Sequence, residues 1–298
     1  MSKMKFNGIF PPIPTPFING DIAYDELSSN IEKWGQTGLK GLVAMGSNGE
    51  YVYLSADEKR KFVQKVVDVT PDHMQVIAGT GCESTRETIE LTRDCAACGV
   101  HAALVVTPHY YAGKMNDTAM FEYFTAVADA SPMPILLYNV PKFTNINMSA
   151  ALVARLSRHP NIVGIKDSTG NVIQLGEIAN QVDAEFNLLV GTAGALFGAL
   201  TLGCVGGVLA LANVAPKICV QIHQLVQEGN FESARKLQLK MIPVNKAITA
   251  TYGVPGLKAA MDMLGYFGGA PRPPLLPSSD KEKSEIRKIL IDAELLHE

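Results

Sequence analysis

An α/β fold of the (β/α)₈ barrel type, with additional helices at the C-terminus, is what this sequence predicts. Three observations point there. Short apolar runs recur along the chain, they are continuously apolar rather than alternating, and longer amphipathic segments separate them. Strands buried on both faces of a helix-covered parallel sheet read this way.

The first unit opens with the Pro-rich extended run Phe10–Phe17. The next strands are Gly41–Met45, Gln75–Gly79, Ala102–Thr107 and Pro134–Tyr138, followed by Ile162–Lys166, Asn187–Val190 and Gly207–Leu211. Helix starts lie between them. Ser55 with Glu58 and Ser84 with Glu87 read as capping boxes, and Asp25, Asp117 and Ser149 as N-caps. Strand-to-strand spacing is mostly about 25–35 residues, one βα unit each. Eight such units end near residue 230, which makes residues 1–230 the barrel. Residues 231–298 form a C-terminal helical extension packed on it, with helical stretches at 231–251, 257–264 and 280–296. A doubly wound open sheet is the competing architecture. The cluster Pro271, Pro273, Pro274 and Pro277 reads as a rigid connector, not a domain break.

The 298 residues are 47% hydrophobic and 18% charged, enough to bury a large core. The formal charge is −3 and no basic stripe stands out, which speaks against nucleic acid. No apolar run is long enough for a signal peptide or a membrane span. Five cysteines, an odd number in a long chain, suggest free thiols in a reducing compartment, hence a soluble cytoplasmic protein. Cys95 and Cys98 have CxxC spacing but sit in a helical pattern with no second pair, which favours packing over zinc or redox chemistry. Six scattered histidines support no metal site, and no Walker or dinucleotide glycine fingerprint is present.

Barrel chemistry collects where strands end. Lys166 closes an apolar strand and, by alternation, shares a face with Gly164 and Ile162. Burial there disfavours the ammonium and frees the amine as a nucleophile. Asp167 points the other way and reads as structural, while Ser168 returns to the Lys166 face. Tyr138 ends the preceding strand, where its phenol can serve as a proton carrier. Gly46-Ser47-Asn48-Gly49-Glu50 can turn backbone N–H groups toward a carboxylate, or be a plain polar turn. Thr107-Pro108-His109-Tyr110-Tyr111 reads as a functional loop or an aromatic subunit contact. Gly191-Thr192-Ala193-Gly194 stands where barrels often hold phosphate, or merely permits close packing.

These strings coincide in one family. GSNGE at 46–50, TPHYY at 107–111, LLYNVP at 136–141 and GIKDSTG at 164–170 resemble, in order and over nearly the whole chain, the dihydrodipicolinate synthase / N-acetylneuraminate lyase family. Within it, GSNGE, GCEST at 81–85 and YGVPGLKAAMD at 252–262 look most like 4-hydroxy-2-oxoglutarate aldolases. The resemblance implies a class I aldolase that cleaves a 4-hydroxy-2-oxo acid to pyruvate and an aldehyde, without metal or organic cofactor. It implies that Lys166 is the Schiff-base lysine and Tyr138 the proton shuttle. Ser47 and Asn48 hold the pyruvyl carboxylate, with Ser47 joining the relay. Tyr110 is the relay tyrosine inserted from a neighbouring subunit of a homotetramer. Ser168 and Gly191 line the substrate channel. Synthases of the family carry an arginine two residues after the NVP motif, and here that place holds Phe143. This departure weakens synthase activity as an expectation but leaves it, with sugar-acid aldolase or dehydratase activity, as an alternative. Thr192, Ala193 and Gly194 replace the acidic residues of sialic acid lyases.

Overall fold

A computed structural model describes residues 4–297. Eight parallel strands form one sheet: β1 (Gly8–Phe10), β2 (Gly41–Ala44), β3 (Gln75–Gly79), β4 (Ala102–Val106), β5 (Ile135–Asn139), β6 (Ile162–Asp167), β7 (Asn187–Val190) and β8 (Gly206–Val208). Each pairs in parallel with its sequence neighbour from β2 through β8, and β8 pairs with β1. The ring closes between β2 and the chain just past β1. There Lys40 N donates to Ile9 O at 3.1 Å, Val43 N to Pro11 O at 2.9 Å and Ile13 N to Val43 O at 3.0 Å. The expected extended run Phe10–Phe17 is therefore a strand only at its start. Pro11, Pro12, Pro14 and Pro16 lack the N–H that a ladder requires, so the chain leaves the sheet and makes a small hairpin at Phe17–Ile22. At the other end, β8 stops at Val208, and Ala210–Asn213 coils into a 3₁₀ turn instead of continuing to Leu211.

Eight helices follow the strands: α1 (Tyr24–Gly35), α2 (Ala56–Val69), α3 (Thr85–Ala97), α4 (Asp117–Ala130), α5 (Ala150–Leu156), α6 (Val172–Ala179), α7 (Leu196–Thr201) and α8 (Pro216–Gln227). Ser55 makes the full capping box with Glu58, and Ser149 caps α5. Ser84 accepts from Glu87 N, but the reciprocal half of its box is missing. Two expected caps lie one or two residues off. Asn116 caps α4, so Asp117 is its first residue, and Asp25 lies in the first turn of α1 behind Ala23. Both carboxylates still face the positive helix end. Cys95 and Cys98 lie at the end of α3. Burial pushes the Cys95 thiol up to about 12, which keeps it protonated and inert and agrees with packing.

Side chains divide into two apolar sets. One fills the barrel: Phe10, Val43, Ile77, Leu104, Leu136, Tyr138, Val163, Leu189 and Val208, with their neighbours. The other lies between strands and helices. β6 breaks strict alternation. Its pairing with β5 jumps from Ile135–Ile162 to Leu136–Gly164, so a bulge at Val163 turns that residue inward. Ile162 consequently faces the helices and does not share the face of Lys166.

Three further helices, α9 (Phe231–Lys246), α10 (Gly253–Met263) and α11 (Asp280–Asp292), lie against the barrel. A π-helical turn, Ala247–Thr251, joins α9 to α10. Trp34 on α1 stacks on Tyr266 with centroids 5.5 Å apart. Arg272 reaches back to α2, where its guanidinium donates to Glu58 Oε2 at 3.0 Å and Oε1 at 2.6 Å. No helix among the described residues is long and apolar enough to cross a membrane.

The Arg272 hydrogen bond is the main cause that lowers the Glu58 carboxyl from 4.5 to about 2. A carboxyl depressed in the folded state stabilises fully above its unfolded value, and that stability is lost as pH falls toward the folded one. In urea unfolding, the stability gap between wild type and Arg272→Met should stay constant above about pH 5 and shrink between about pH 4.5 and pH 2. A gap that does not change through that window contradicts the assignment.

Candidate active site

The C-terminal ends of the strands open into a cavity of about 870 Å³. Lys166 sits in its wall, 3% exposed, because β6 places it at the sheet's mouth between Tyr138 on β5 and Leu189 on β7. Tyr138 and Lys166 are direct register partners, and Nζ lies 4.0 Å from the phenol ring centroid. The Tyr138 hydroxyl is 3.1 Å from Ser47 Oγ, so three groups on β5, β6 and the loop after β2 meet at one point. Ser47–Gly49 forms a 3₁₀ turn, and Asn48 within it lines the cavity. Tyr51 packs close by. Burial first, and the nearby Tyr138 next, push its hydroxyl well above the ordinary tyrosine value.

Ser168 and Gly191 also line the cavity and touch each other. A Cβ on Gly191 would come within 1.9 Å of Ser168 Oγ, so only glycine fits at the end of β7. Ser168 Oγ is buried and has no hydrogen-bond partner among the described residues, which leaves it ready for a ligand. At 191–194 the turn into α7 packs against α9, which takes up one of its donors. Gln238 on α9 accepts from Phe197 N at 2.9 Å and donates to Ala193 O at 2.9 Å.

Phe143 lines the rim and is half-exposed. Lys142 next to it donates to Thr249 O at 2.8 Å, with Nζ 5.5 Å from the Phe143 ring centroid. Among the described lining residues no arginine occurs. Tyr110 is the residue that the fold of one chain does not bring in. It is 77% exposed, stacks edge-on with Tyr111 at 5.0 Å, and does not line the cavity, whereas His109 does.

Of the supports around the site, only Asp167 carries a sequence signal, as a residue that reads as structural. Asp167 is fully buried, and its two oxygens accept from Thr169 N at 2.9 Å, Asn139 Nδ2 at 2.8 Å and Gln174 Nε2 at 3.0 Å, as well as from the Thr169 hydroxyl. That network fixes the chain just past Lys166. Glu83 accepts from His109 N at 2.9 Å and Tyr110 N at 2.8 Å and pairs with His109 Nδ1 at 2.9 Å, which holds the tyrosine loop. The π-helical turn supplies Ile248–Thr251 to the cavity wall, so the C-terminal segment is part of the site. No group of three or more potential metal-ligating side chains occurs among the described residues.

Known proteins match this architecture along its length. The Dihydrodipicolinate synthetase family model matches residues 5–293. A 4-hydroxy-tetrahydrodipicolinate synthase of Methanothrix thermoacetophila is 39% identical over 96% of this chain and 96% of its own. One from Leptospira biflexa is 37% identical over 96% and 97%. The pyruvate complex of a chloride-inhibited dihydrodipicolinate synthase from Acinetobacter baumannii superposes with a TM-score of 0.94 at 29% identity, covering 98% of this chain and all of that one. With the family model spanning almost every described residue, the chain belongs to the dihydrodipicolinate synthetase family and is a lyase of the aldolase type.

Proposed function

We propose that Lys166 forms a Schiff base with pyruvate, and that the enzyme makes or breaks a carbon–carbon bond beside it. The observation that carries this reading is the convergence of Lys166 Nζ, the Tyr138 phenol and Ser47 Oγ in one cavity. The amine attacks the C2 carbonyl and water leaves, which gives an iminium. The iminium draws electrons from C3, so loss of a C3 proton yields an enamine. In condensation the enamine carbon attacks an aldehyde, and Tyr138 delivers a proton to the forming alkoxide. In cleavage Tyr138 takes the C4 hydroxyl proton, the C3–C4 bond breaks, and the aldehyde leaves. Ser47 and Asn48 receive the carboxylate of pyruvate, and Ser168 and Gly191 shape the channel. Tyr110, turned outward in its own chain, enters the relay of a partner subunit in a homotetramer. The five free cysteines fit a cytoplasmic setting.

The aldehyde partner separates two readings. The names of the relatives favour 4-hydroxy-tetrahydrodipicolinate synthesis, in which pyruvate condenses with aspartate semialdehyde, and this reading comes first. It displaces cleavage of 4-hydroxy-2-oxoglutarate, the main expectation from the motifs, to second place. One observation keeps that second reading alive. The position assigned to the synthase arginine holds Phe143, and no arginine lines the cavity among the described residues.

Borohydride reduction with labelled pyruvate should fix pyruvate on Lys166. Lys166→Ala should give no adduct, and an undiminished yield in that variant sinks the Schiff-base assignment. Tyr138→Phe should lower kcat by about 10²–10⁴, the usual worth of a positioned proton carrier, while trapping persists. Unchanged kcat removes Tyr138 from the mechanism. Offered with pyruvate, aspartate semialdehyde should be consumed faster than glyoxylate if the first reading holds, and the reverse order establishes the second.

A further inference from the structure

Two motif residues play no part in the mechanism above: Glu50, which ends the Gly46–Glu50 string, and Lys258, inside Tyr252–Asp262. The fold joins them. Glu50 is 2% exposed and Lys258 on α10 is 0% exposed, and Oε1 of one lies 2.6 Å from Nζ of the other. Glu50 Oε2 accepts from Arg272 N at 2.8 Å. Lys258 donates to Ala270 O at 3.1 Å and lies 4.6 Å from the centroid of the Phe17 ring. Both carboxylate oxygens of Glu50 are thus held by the C-terminal segment. The glutamate itself sits at φ +54°, a left-handed conformation that a non-glycine residue keeps only where its surroundings enforce it.

The held residue borders the turn that the mechanism uses. Gly49 O accepts from Thr15 Oγ1 at 2.6 Å and Glu50 N donates to Ser47 O at 3.3 Å. Tyr51 follows at once and stands beside Tyr138. Ser47 and Asn48 face the cavity from a turn whose far end is fixed from outside the barrel. A buried ion pair rarely stabilises more than an apolar pair of the same volume, but it fixes direction, which an apolar contact does not. We infer that Glu50 is a positioning residue, and that Lys258 and Arg272 act through it to aim the Ser47–Asn48 turn at the carboxylate of the 2-oxo acid. This rests on the Schiff-base reading of Lys166.

The test uses the full chain and reads borohydride trapping at Lys166 by peptide mass, titrating pyruvate and methyl pyruvate, the same ketone with its carboxylate masked. The double variant Glu50→Gln/Lys258→Met leaves no unpaired buried charge and should fold, checked by its thermal transition. It should need about tenfold more pyruvate for half-saturation, the scale of loss when a binding group is displaced. Its half-saturation with methyl pyruvate should stay within about twofold of wild type, since that ligand makes no charged contact with the turn. Three results overturn the inference: a folded double variant with wild-type pyruvate half-saturation, equal weakening for both ketones, or failure of the double variant to fold, which makes the pair a stability element. If wild type itself traps no pyruvate, the Schiff-base reading falls first and is recognised separately.

Discussion

The pairing of β5 with β6 is the constraint on which the rest depends. It sets Tyr138 directly opposite Lys166 and buries both, so an amine and a phenol face one cavity from adjacent strands. Parallel pairing by itself would not suffice. The bulge at Val163 resets the phase of β6, and Gly164 lets it approach Asn187 on β7, where a Cβ would lie 2.4 Å from the Asn187 carbonyl oxygen. Beyond Lys166 the strand ends in Asp167, whose carboxylate is saturated by donors from three segments. The proposed nucleophile is therefore placed by a strand tied on both sides and at its end, as a group that reacts with a bound carbonyl needs to be.

The loops that complete the site are held by charge rather than by the sheet. Glu50–Lys258, Arg272–Glu58 and Glu83–His109 each anchor a loop near a strand end. They are not equivalent. The Glu83–His109 pair is partly exposed and worth little by itself, so its two backbone hydrogen bonds carry the loop. Glu50 and Lys258 are sealed from water. Removing one partner of such a pair costs about 3–5 kcal/mol, a large share of a ~5–15 kcal/mol total margin. The C-terminal helices are thereby coupled to the site and also supply part of the cavity wall.

Much of this was legible in the sequence. The barrel follows from continuously apolar runs such as Ala102–Thr107, and the lysine from its place at the end of one. What was not legible depended on the third dimension. Alternation puts Ile162 on the Lys166 face, because a bulge is invisible to a period-2 count. Asp25 and Asp117 look like caps, but the cap is decided by which residue leaves helical φ/ψ first. Glu50 and Lys258 are 208 positions apart by their numbering, and nothing local marks either as half of a pair.

The same distinction separates the two halves of the proposed chemistry. Lys166 and Tyr138 are positioned by strands and Ser47 by a pinned turn. In the proposed reaction the aldehyde meets the rim, where Phe143 is half-exposed and Lys142 is tied to a carbonyl of the π-helical turn. Aspartate semialdehyde and glyoxylate both carry a carboxylate, so a rim cation serves either one. What separates them is length, and the proposed reading assigns its selection to the space between Phe143 and the Ile248–Thr251 wall. On the proposed reading, selectivity resides in the C-terminal segment as much as in the barrel, on the same segment of chain that fixes Glu50.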